Sequence, residues 1–248
     1  MTYITGDTHG YPRRLKVISA YDDADAIIVC GDFGFLFDGS KEEERTLEEL
    51  NRRDVPILFL DGNHENYDLL KQYPVTEWNG GKVQFIRENI IHLMRGQVYT
   101  INGYKIFVMG GAECHDIEDG IIDPDDPHAI TKIRHLQEGD KRFRIKHVSW
   151  WTEELPTEEE LAEGLRNLAT HNYEVDAILT HCAPTSLQIA LGKTDYPINR
   201  LTDYLETIKQ TIRYRIWCFG HYHSSKEVDE KHFVLHHGAI QLEQALPK

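Results

Sequence analysis

The sequence has no run of about 18 apolar residues and no charged and apolar leader at its N-terminus. It is also poor in cysteine, with four widely spaced residues and no Cys-x-x-Cys pair. These absences argue against a membrane-spanning helix, a disulfide scaffold and a thiolate zinc site. They predict a cytoplasmic protein with reduced, semi-buried thiols.

Basic residues are outnumbered, because 27 Lys and Arg face 41 Asp and Glu for a formal net charge of -14. Such a surface repels polyanions, so binding to duplex nucleic acid is disfavoured, and a nuclease would need a separate basic surface. The length of 248 residues, 40% of them hydrophobic, suffices for one sizeable core. We therefore expect a single domain over residues 1–248 that has no membrane partner; the oligomeric state stays open.

Short β-branched runs alternate with helical patterns along most of the chain. The paired segments are residues 3–5 with 12–21, 26–30 with 41–53, and 56–60 with 66–71. This alternation is typical of βαβ units and a mainly parallel sheet. A denser group of strands follows at residues 83–109, where Asn102-Gly103 indicates a hairpin. The later strands and helices are expected at residues 157–172, 177–180, 198–210, 216–219 and 232–237. The pattern predicts an α/β (α+β) protein, with the sheet doubled into two packed layers.

A long polar insertion, residues 112–156, interrupts this rhythm and ends in the tandem pair Trp150 and Trp151. Such a segment is either a functional lid or a disordered loop. An exposed aromatic pair in a flexible loop promotes aggregation, so we expect an ordered segment. A lid or rim over a binding site is the prediction.

Five short motifs, GDTHG, GDFG, GNHE, THC and GHYH, each lie where an apolar run meets a turn. Ligands of open α/β sheets collect outside the carboxyl ends of the strands, so the motifs are expected to converge at one edge. The ligand-type side chains in them are Asp7, His9, Asp32, Asn63, His181, His221 and His223. Asp, His and Asn without thiolate suit manganese, iron or zinc. Seven donors exceed the three or so of one open catalytic site, so two metals are implied, with Asp32 as the bridging carboxylate.

This ordered set resembles the calcineurin-like metallophosphoesterases, whose motifs run D-x-H, GD, GNH with D or E, a lone His, and GHxH. The similarity extends from Gly6 to His223. The resemblance implies a four-layer α/β/β/α sandwich of two mixed sheets flanked by helices. It implies a first metal on Asp7, His9, Asp32 and His223, and a second on Asp32, Asn63, His181 and His221. It further implies that His64 is the catalytic general acid.

The function that the resemblance implies is hydrolysis of a phosphomonoester or phosphodiester by a metal-bridging hydroxide, with two divalent ions as cofactors. Manganese is the first expectation, with iron, zinc or nickel as alternatives. The substrate would be a phosphorylated small molecule, nucleotide or protein. Residues 31–36 read GDFGFL and lack the phosphate-clamping arginine of the protein Ser/Thr phosphatases, which makes that activity doubtful. A non-catalytic scaffold for protein interaction is the remaining alternative.

Phosphate contacts could come from other arginines, for which the candidates are Arg87, Arg134, Arg142 and Arg144. Several further residues in or near the motifs are interpreted as structural or supporting residues. Glu65 is either an orienting group or an exposed acid at a helix start. His236 and His237 are expected to be a packed or edge pair, and Cys182 a packed residue rather than a nucleophile. Surface or supporting positions are expected for His92, His115, His128, His135, His147 and His171.

Overall fold

The structure is a computed structural model that describes residues 1–14 and 24–246. The helix expected at residues 12–21 lies mostly outside these ranges, although residues 12–14 are helical. None of the helices in the described part of the chain is long and apolar enough to cross a membrane.

The described elements follow the expected alternation. The strands are β1 (Thr2–Thr5), β2 (Ala26–Cys30), β3 (Ile57–Leu60), β4 (Val75–Trp78), β5 (Gly81–Arg87), β6 (Ile90–Leu93), β7 (Gln97–Ile101), β8 (Tyr104–Met109), β9 (Ile121–Ile122), β10 (Arg144–Ile145), β11 (Ala177–Thr180), β12 (Ile216–Phe219), β13 (Lys226–Asp229), β14 (His232–Val234) and β15 (Ala239–Gln241). The α-helices are α1 (Lys41–Asn51), α2 (Tyr67–Leu70), α3 (Ala129–Glu138), α4 (Glu158–Thr170), α5 (Thr185–Ala190), α6 (Arg200–Thr211) and α7 (Leu242–Ala245). A 3₁₀ turn covers Thr152–Glu154.

Two mixed sheets form the frame of the molecule. Among the described residues, the first has seven strands in the order β15-β1-β2-β3-β6-β5-β4, and the second has six in the order β13-β14-β12-β11-β8-β7. The centre of each sheet is parallel, and antiparallel strands such as β15 and β7 lie at the edges. The third, small sheet pairs β9 with β10.

Strand β2 shows why the sheets are sandwiched between helices. Its even-numbered residues, Ile28 and Cys30, belong to the core between the two sheets. Its odd-numbered residues, Ile27 and Val29, pack on the other face with Leu47 of α1. Successive side chains of a strand point to opposite faces, so a strand apolar at every position must be covered on both. The second sheet is covered by α4 and α6 in the same way, which confirms the four-layer α/β/β/α sandwich.

The parallel register brings the motif loops to one edge. In the first sheet β1, β2 and β3 run side by side and end before the loops that carry GDTHG, GDFG and GNHE. In the second sheet β11 and β12 pair from Ala177 with Ile216 to Thr180 with Phe219, and they end before THC and GHYH. All five motif loops therefore leave the carboxyl ends of parallel strands.

The insertion folds around short elements, β9, α3, β10 and the 3₁₀ turn. Trp151 is buried, and its Nε1 donates a hydrogen bond to Asp68 Oδ2 at 2.7 Å. Its ring lies edge-on to Phe37, with the ring centres 5.8 Å apart. The end of the insertion is thus anchored to α2 and to the loop after β2. Its role as a lid stays a prediction.

Candidate metal centre

The first predicted ligand set, Asp7, His9, Asp32 and His223, converges in space, with one donor atom of each residue within 4.8 Å of the others. His9 Nε2 lies 3.1 Å from His223 Nε2 and 3.7 Å from Asp32 Oδ2. His223 Nε2 in turn lies 3.4 Å from Asp7 Oδ2. Four donors that face one another at such separations can surround a single cation.

The second predicted set lies beside the first. His181 Nε2 is 3.2 Å from Asn63 Oδ1 and 3.2 Å from Asp32 Oδ1. The His181 and His221 rings are 5.0 Å apart between centres. Of the four residues, Asn63, Asp32 and His181 bring their donor atoms directly together, and His221 flanks them.

Asp32 is common to both sets. Its Oδ2 faces His9 of the first set, and its Oδ1 faces His181 of the second. The carboxylate is buried, and Oδ1 also accepts a hydrogen bond from the backbone N–H of His64 at 2.8 Å. A carboxylate with one oxygen toward each donor group has the orientation that the predicted bridge requires.

Glycine is needed where the motif loops approach the acidic ligands. A Cβ on Gly62 would lie 2.1 Å from Asp32 Oδ1, and one on Gly220 would lie 2.2 Å from Asp7 Oδ1. The ligands themselves also show a constrained backbone, because Asp32 and His221 have φ values of 49° and 66°. The left-handed conformation costs a non-glycine residue conformational free energy, and such strain concentrates at functional sites.

Hydrogen bonds fix the orientation of two ligands. His181 Nδ1 lies 2.8 Å from the Cys30 carbonyl oxygen, which can only accept, so Nδ1 carries the proton of the neutral ring and Nε2 is left facing Asp32. Asp7 Oδ1 accepts from the backbone N–H of His221 at 3.0 Å. Partners of this kind set the tautomer and the direction of a metal ligand.

The charges of the buried ligands are strongly coupled. Burial opposes the protonation of His181, yet the Asp32 carboxylate raises the pKa of that ring to about 9. Burial also opposes the ionisation of Asp32, but His181 holds the pKa of that carboxyl well below its usual range. For His221, burial and the neighbouring His181 lower the pKa far below the ordinary value, so its ring is neutral. A cation bound here would replace the His181 proton, since metal ligation requires the neutral ring.

A cation also fits an otherwise unexplained atom. Asp7 Oδ2 is buried and has no hydrogen-bond partner among the described residues. A buried carboxylate oxygen without a partner is costly unless a positive charge compensates it. Together with the oxygen and imidazole donors around it, this atom fits a divalent ion.

Two residues lie beside the centre although the sequence did not predict them there. Arg14 donates from Nη1 to the Asp7 carbonyl oxygen at 2.6 Å and to the His236 carbonyl oxygen at 2.8 Å. His236 stacks on His223, with the ring centres 4.6 Å apart, and its Nδ1 lies 3.7 Å from Asp7 Oδ2. His236 is therefore a neighbour of the centre rather than only a packed partner of His237. Nothing local in the sequence links positions so far apart.

Glu65 orients the loop that carries Asp32, and the alternative interpretation of Glu65 as an exposed acid is wrong. The side chain is 1% exposed. Its Oε1 accepts from the backbone N–H of Phe33 at 2.7 Å, and its Oε2 faces the N–H of Gly34 at 3.5 Å. Glu65 thus ties the loop of GNHE to the loop that carries Asp32.

His64 lies at the rim of the centre and is half-buried. Its ring is edge-on to that of His9, with the ring centres 5.3 Å apart. Its backbone N–H, not its side chain, holds Asp32. The imidazole thus lies beside the first ligand set and takes no part in the hydrogen bond to Asp32. This position suits the predicted role of a proton donor.

The other residues singled out in the sequence lie in varied places. Cys182 is buried, and burial raises the pKa of its thiol to about 12, which agrees with a packed residue. His115 is close to the centre, with its ring 5.7 Å from that of His221. His92 is buried against Asp61, whereas His147 is exposed and contacts Asp68. Exposed positions also hold His128, Arg134, His135 and Arg142.

Glu154, at the end of the insertion, is an unexpected buried acid. The residue is 2% exposed, its Oε2 accepts from the backbone N–H of Cys114 at 3.1 Å, and its Oε1 has no hydrogen-bond partner among the residues that the structure describes. Burial raises the pKa of the carboxyl to about 9, and the Asp32 carboxylate adds to the rise. Glu154 is therefore a neutral acid at pH 7.

Replacing Glu154 by glutamine is expected to stabilise the metal-free protein, by an amount that grows with pH. The folded pKa is raised above the ordinary 4.5, so the wild-type chain loses stability relative to the variant between pH 4.5 and about 9. The gap in free energy of unfolding should be near zero at pH 4.5 and about 3 kcal/mol at pH 7. Urea unfolding at several pH values measures it, with Glu174→Gln as an exposed control. A gap that does not change with pH would show that Glu154 is ionised in the folded protein.

The comparisons with known proteins agree with this geometry. A family model described as calcineurin-like phosphoesterase matches residues 2–225, a range that contains every residue of both ligand sets. Among curated proteins, none matches the chain.

Proposed function

Because the chain belongs to the calcineurin-like phosphoesterase family, we propose that it hydrolyses phosphoesters with two divalent ions at the centre described above. The observation that carries the proposal is the convergence of Asp7, His9, Asp32 and His223, whose donor atoms lie within 4.8 Å of one another. The neighbouring group of Asn63 and His181 on the other oxygen of Asp32 supports the second ion.

When bound by these residues, two divalent ions would supply an activated water at neutral pH and would polarise the phosphoryl oxygens. The residues of the chain supply negative charge, positioning and a proton donor. Asp32 provides negative charge to both positions, and the Cys30 carbonyl and the His221 N–H keep His181 and Asp7 in place. His64 holds a proton at the rim and donates it to the leaving oxygen, a contribution typically of 10²–10⁴-fold.

The substrate is a phosphomonoester or phosphodiester, carried by a small molecule, a nucleotide or a protein. Protein phosphatase activity is less well supported, because residues 31–36 lack the clamping arginine of that branch. We keep manganese as the first metal to test, with iron, zinc and nickel as alternatives, and a cytoplasmic location.

The purified protein is expected to bind two divalent ions per chain and to hydrolyse aryl phosphoesters only when loaded. The test strips the protein with a chelator, reconstitutes it with manganese, zinc or nickel, and measures elemental content beside release of nitrophenol from mono- and diesters. A stoichiometry that stays at one or below with saturating metal contradicts the two-ion centre. Two bound ions without hydrolysis of any ester would favour the non-catalytic scaffold.

We also propose that residues 112–156 act as a lid within a single domain of residues 1–248. Lids exclude water and complete the substrate pocket, so their loss affects specificity more than the chemistry. Replacing residues 115–147 by a short Gly/Ser linker should raise KM for the natural substrate and leave metal content and kcat on a small aryl ester largely unchanged. Unchanged kinetics on the natural substrate would mean that the segment is a peripheral loop.

A further inference from the structure

Buried polar atoms without partners are few in the described residues, and they are not scattered at random. Within residues 1–14 and 24–246, the buried atoms that lack a hydrogen-bond partner are Asp7 Oδ2, Arg53 Nη1, Asn63 Nδ2, His115 Nδ1, Arg144 Nε, Glu154 Oε1 and Tyr204 OH. Two of the seven belong to proposed metal ligands, and three belong to the insertion. Each unsatisfied buried group costs free energy and calls for an explanation such as an absent ion or ligand.

The three atoms of the insertion belong to one cluster, which consists of His115, Arg144 and Glu154. The backbone N–H of Cys114, next to His115, donates to Glu154 Oε2 at 3.1 Å. Asp116 joins the other two, because its Oδ2 accepts from Arg144 Nη2 at 2.9 Å and its Oδ1 lies 3.5 Å from His115 Nε2. Segments that are far apart in the sequence are therefore held together here.

The cluster flanks the metal centre. The His115 ring is 5.7 Å from that of the ligand His221, and both rings pack against Tyr196, at 4.2 and 5.0 Å. Glu154 is near enough to Asp32 for that carboxylate to contribute, after burial, to its raised pKa. A group bound at the centre on the side of His221 would therefore lie next to this cluster.

The free hydrogen-bonding position of Arg144 specifies the chemistry of the ligand. An arginine Nε–H can only donate, so its missing partner must be an acceptor. A charged donor of this kind matches an oxyanion, since charge-assisted hydrogen bonds from arginine are the strong way to hold a phosphate oxygen.

We propose that Arg144, beside His115, forms an oxyanion subsite that binds the non-bridging phosphate oxygens of the substrate. The inference rests on the proposed function, and it names the arginine that the second motif does not supply. Arg144 is suited to this role because its side chain is 23% exposed and its position is fixed by Asp116. Arg142 is 64% exposed and contacts Glu118 at the surface, so it serves as a matched control two residues away.

The test compares wild type, Arg144→Gln and Arg142→Gln, with inorganic phosphate as the probe in manganese-loaded and chelator-treated protein. Isothermal titration should show phosphate binding weakened by about 10-fold or more in Arg144→Gln, and by less than about twofold in Arg142→Gln. In kinetic runs on an aryl phosphoester, Arg144→Gln should raise KM more than it lowers kcat, at unchanged metal content. Equal phosphate affinity in the two variants would overturn the subsite.

Separate controls distinguish a loss of folding, a loss of phosphate binding and a loss of hydrolysis. If Arg144→Gln is unfolded by circular dichroism, the pair Arg144→Lys and Arg142→Lys decides, because lysine keeps the charge but loses the directed Nε–H. Arg144→Lys should then bind phosphate several-fold more weakly than Arg142→Lys, and equal binding refutes the subsite. If loaded wild type hydrolyses no ester, the proposed function fails, while weaker phosphate binding in Arg144→Gln would still support the subsite.

Discussion

Replacing His64 by alanine is expected to lower kcat by at least about 100-fold on phosphoesters with poor leaving groups, while both metal ions are retained. The ring lies beside His9, with the ring centres 5.3 Å apart, but it is outside the proposed ligand sets. The hydrogen bond to Asp32 comes from the backbone of residue 64, so alanine preserves it. Proton donation matters most when the leaving oxygen is strongly basic.

The comparison of leaving groups makes this prediction specific. For a nitrophenyl ester, whose leaving oxygen needs little help from an acid, the loss in His64→Ala should shrink to a few-fold. His147→Ala, at an exposed histidine of the insertion, should leave both rates unchanged. Equal losses on good and poor leaving groups would assign His64 a role in ligation or positioning instead.

The largest loss is expected for Asp32→Asn, which should reduce metal occupancy and activity together. Asparagine keeps the shape of the side chain but removes the negative charge shared by the two donor groups. Metal stabilisation of the transition state is worth several kcal/mol, so activity should fall by at least about 1000-fold. Elemental analysis should find one ion per chain or fewer.

The matched control is Asp125→Asn, an exposed position of the insertion with the same change of charge. It should retain two ions and full activity. Because Asp32 is buried against His181, the fold of the variant is checked by circular dichroism and thermal unfolding. Two tightly bound ions in a folded Asp32→Asn protein would contradict the bridging role.

The alternation of strands and helices predicted the parallel strands and the place of the motifs, whereas the four-layer sandwich was implied by the family resemblance. Parallel strands such as β1, β2 and β3 end together, so residues that follow them directly must lie at one edge. Asn102-Gly103 predicts its hairpin because both residues adopt positive φ, at 50° and 84°. Both inferences depend on local chain geometry, which the sequence encodes at short range.

What the sequence did not reveal depends on contacts between distant segments. Arg14 and His236 meet across 222 positions, and neither lies in a recognisable pattern. Strand β4 was not predicted from the sequence, because its residues are mostly exposed at a sheet edge and do not alternate between buried and exposed positions. The environment of Glu65 was ambiguous for the same reason, since only tertiary packing decides whether an acid after a motif is covered.

Each proposed ion takes ligands from both sheets, and this arrangement couples the centre to the core beneath it. Asp7 and Asn63 follow strands of the first sheet, whereas His181 and His223 follow strands of the second. The distance between their donor atoms is therefore set by the apolar side chains that hold the sheets apart, among them Ile28 and Leu179. A core residue that never touches an ion thus acts as a spacer for the centre, and trimming it would change ion affinity by altering the gap between the sheets.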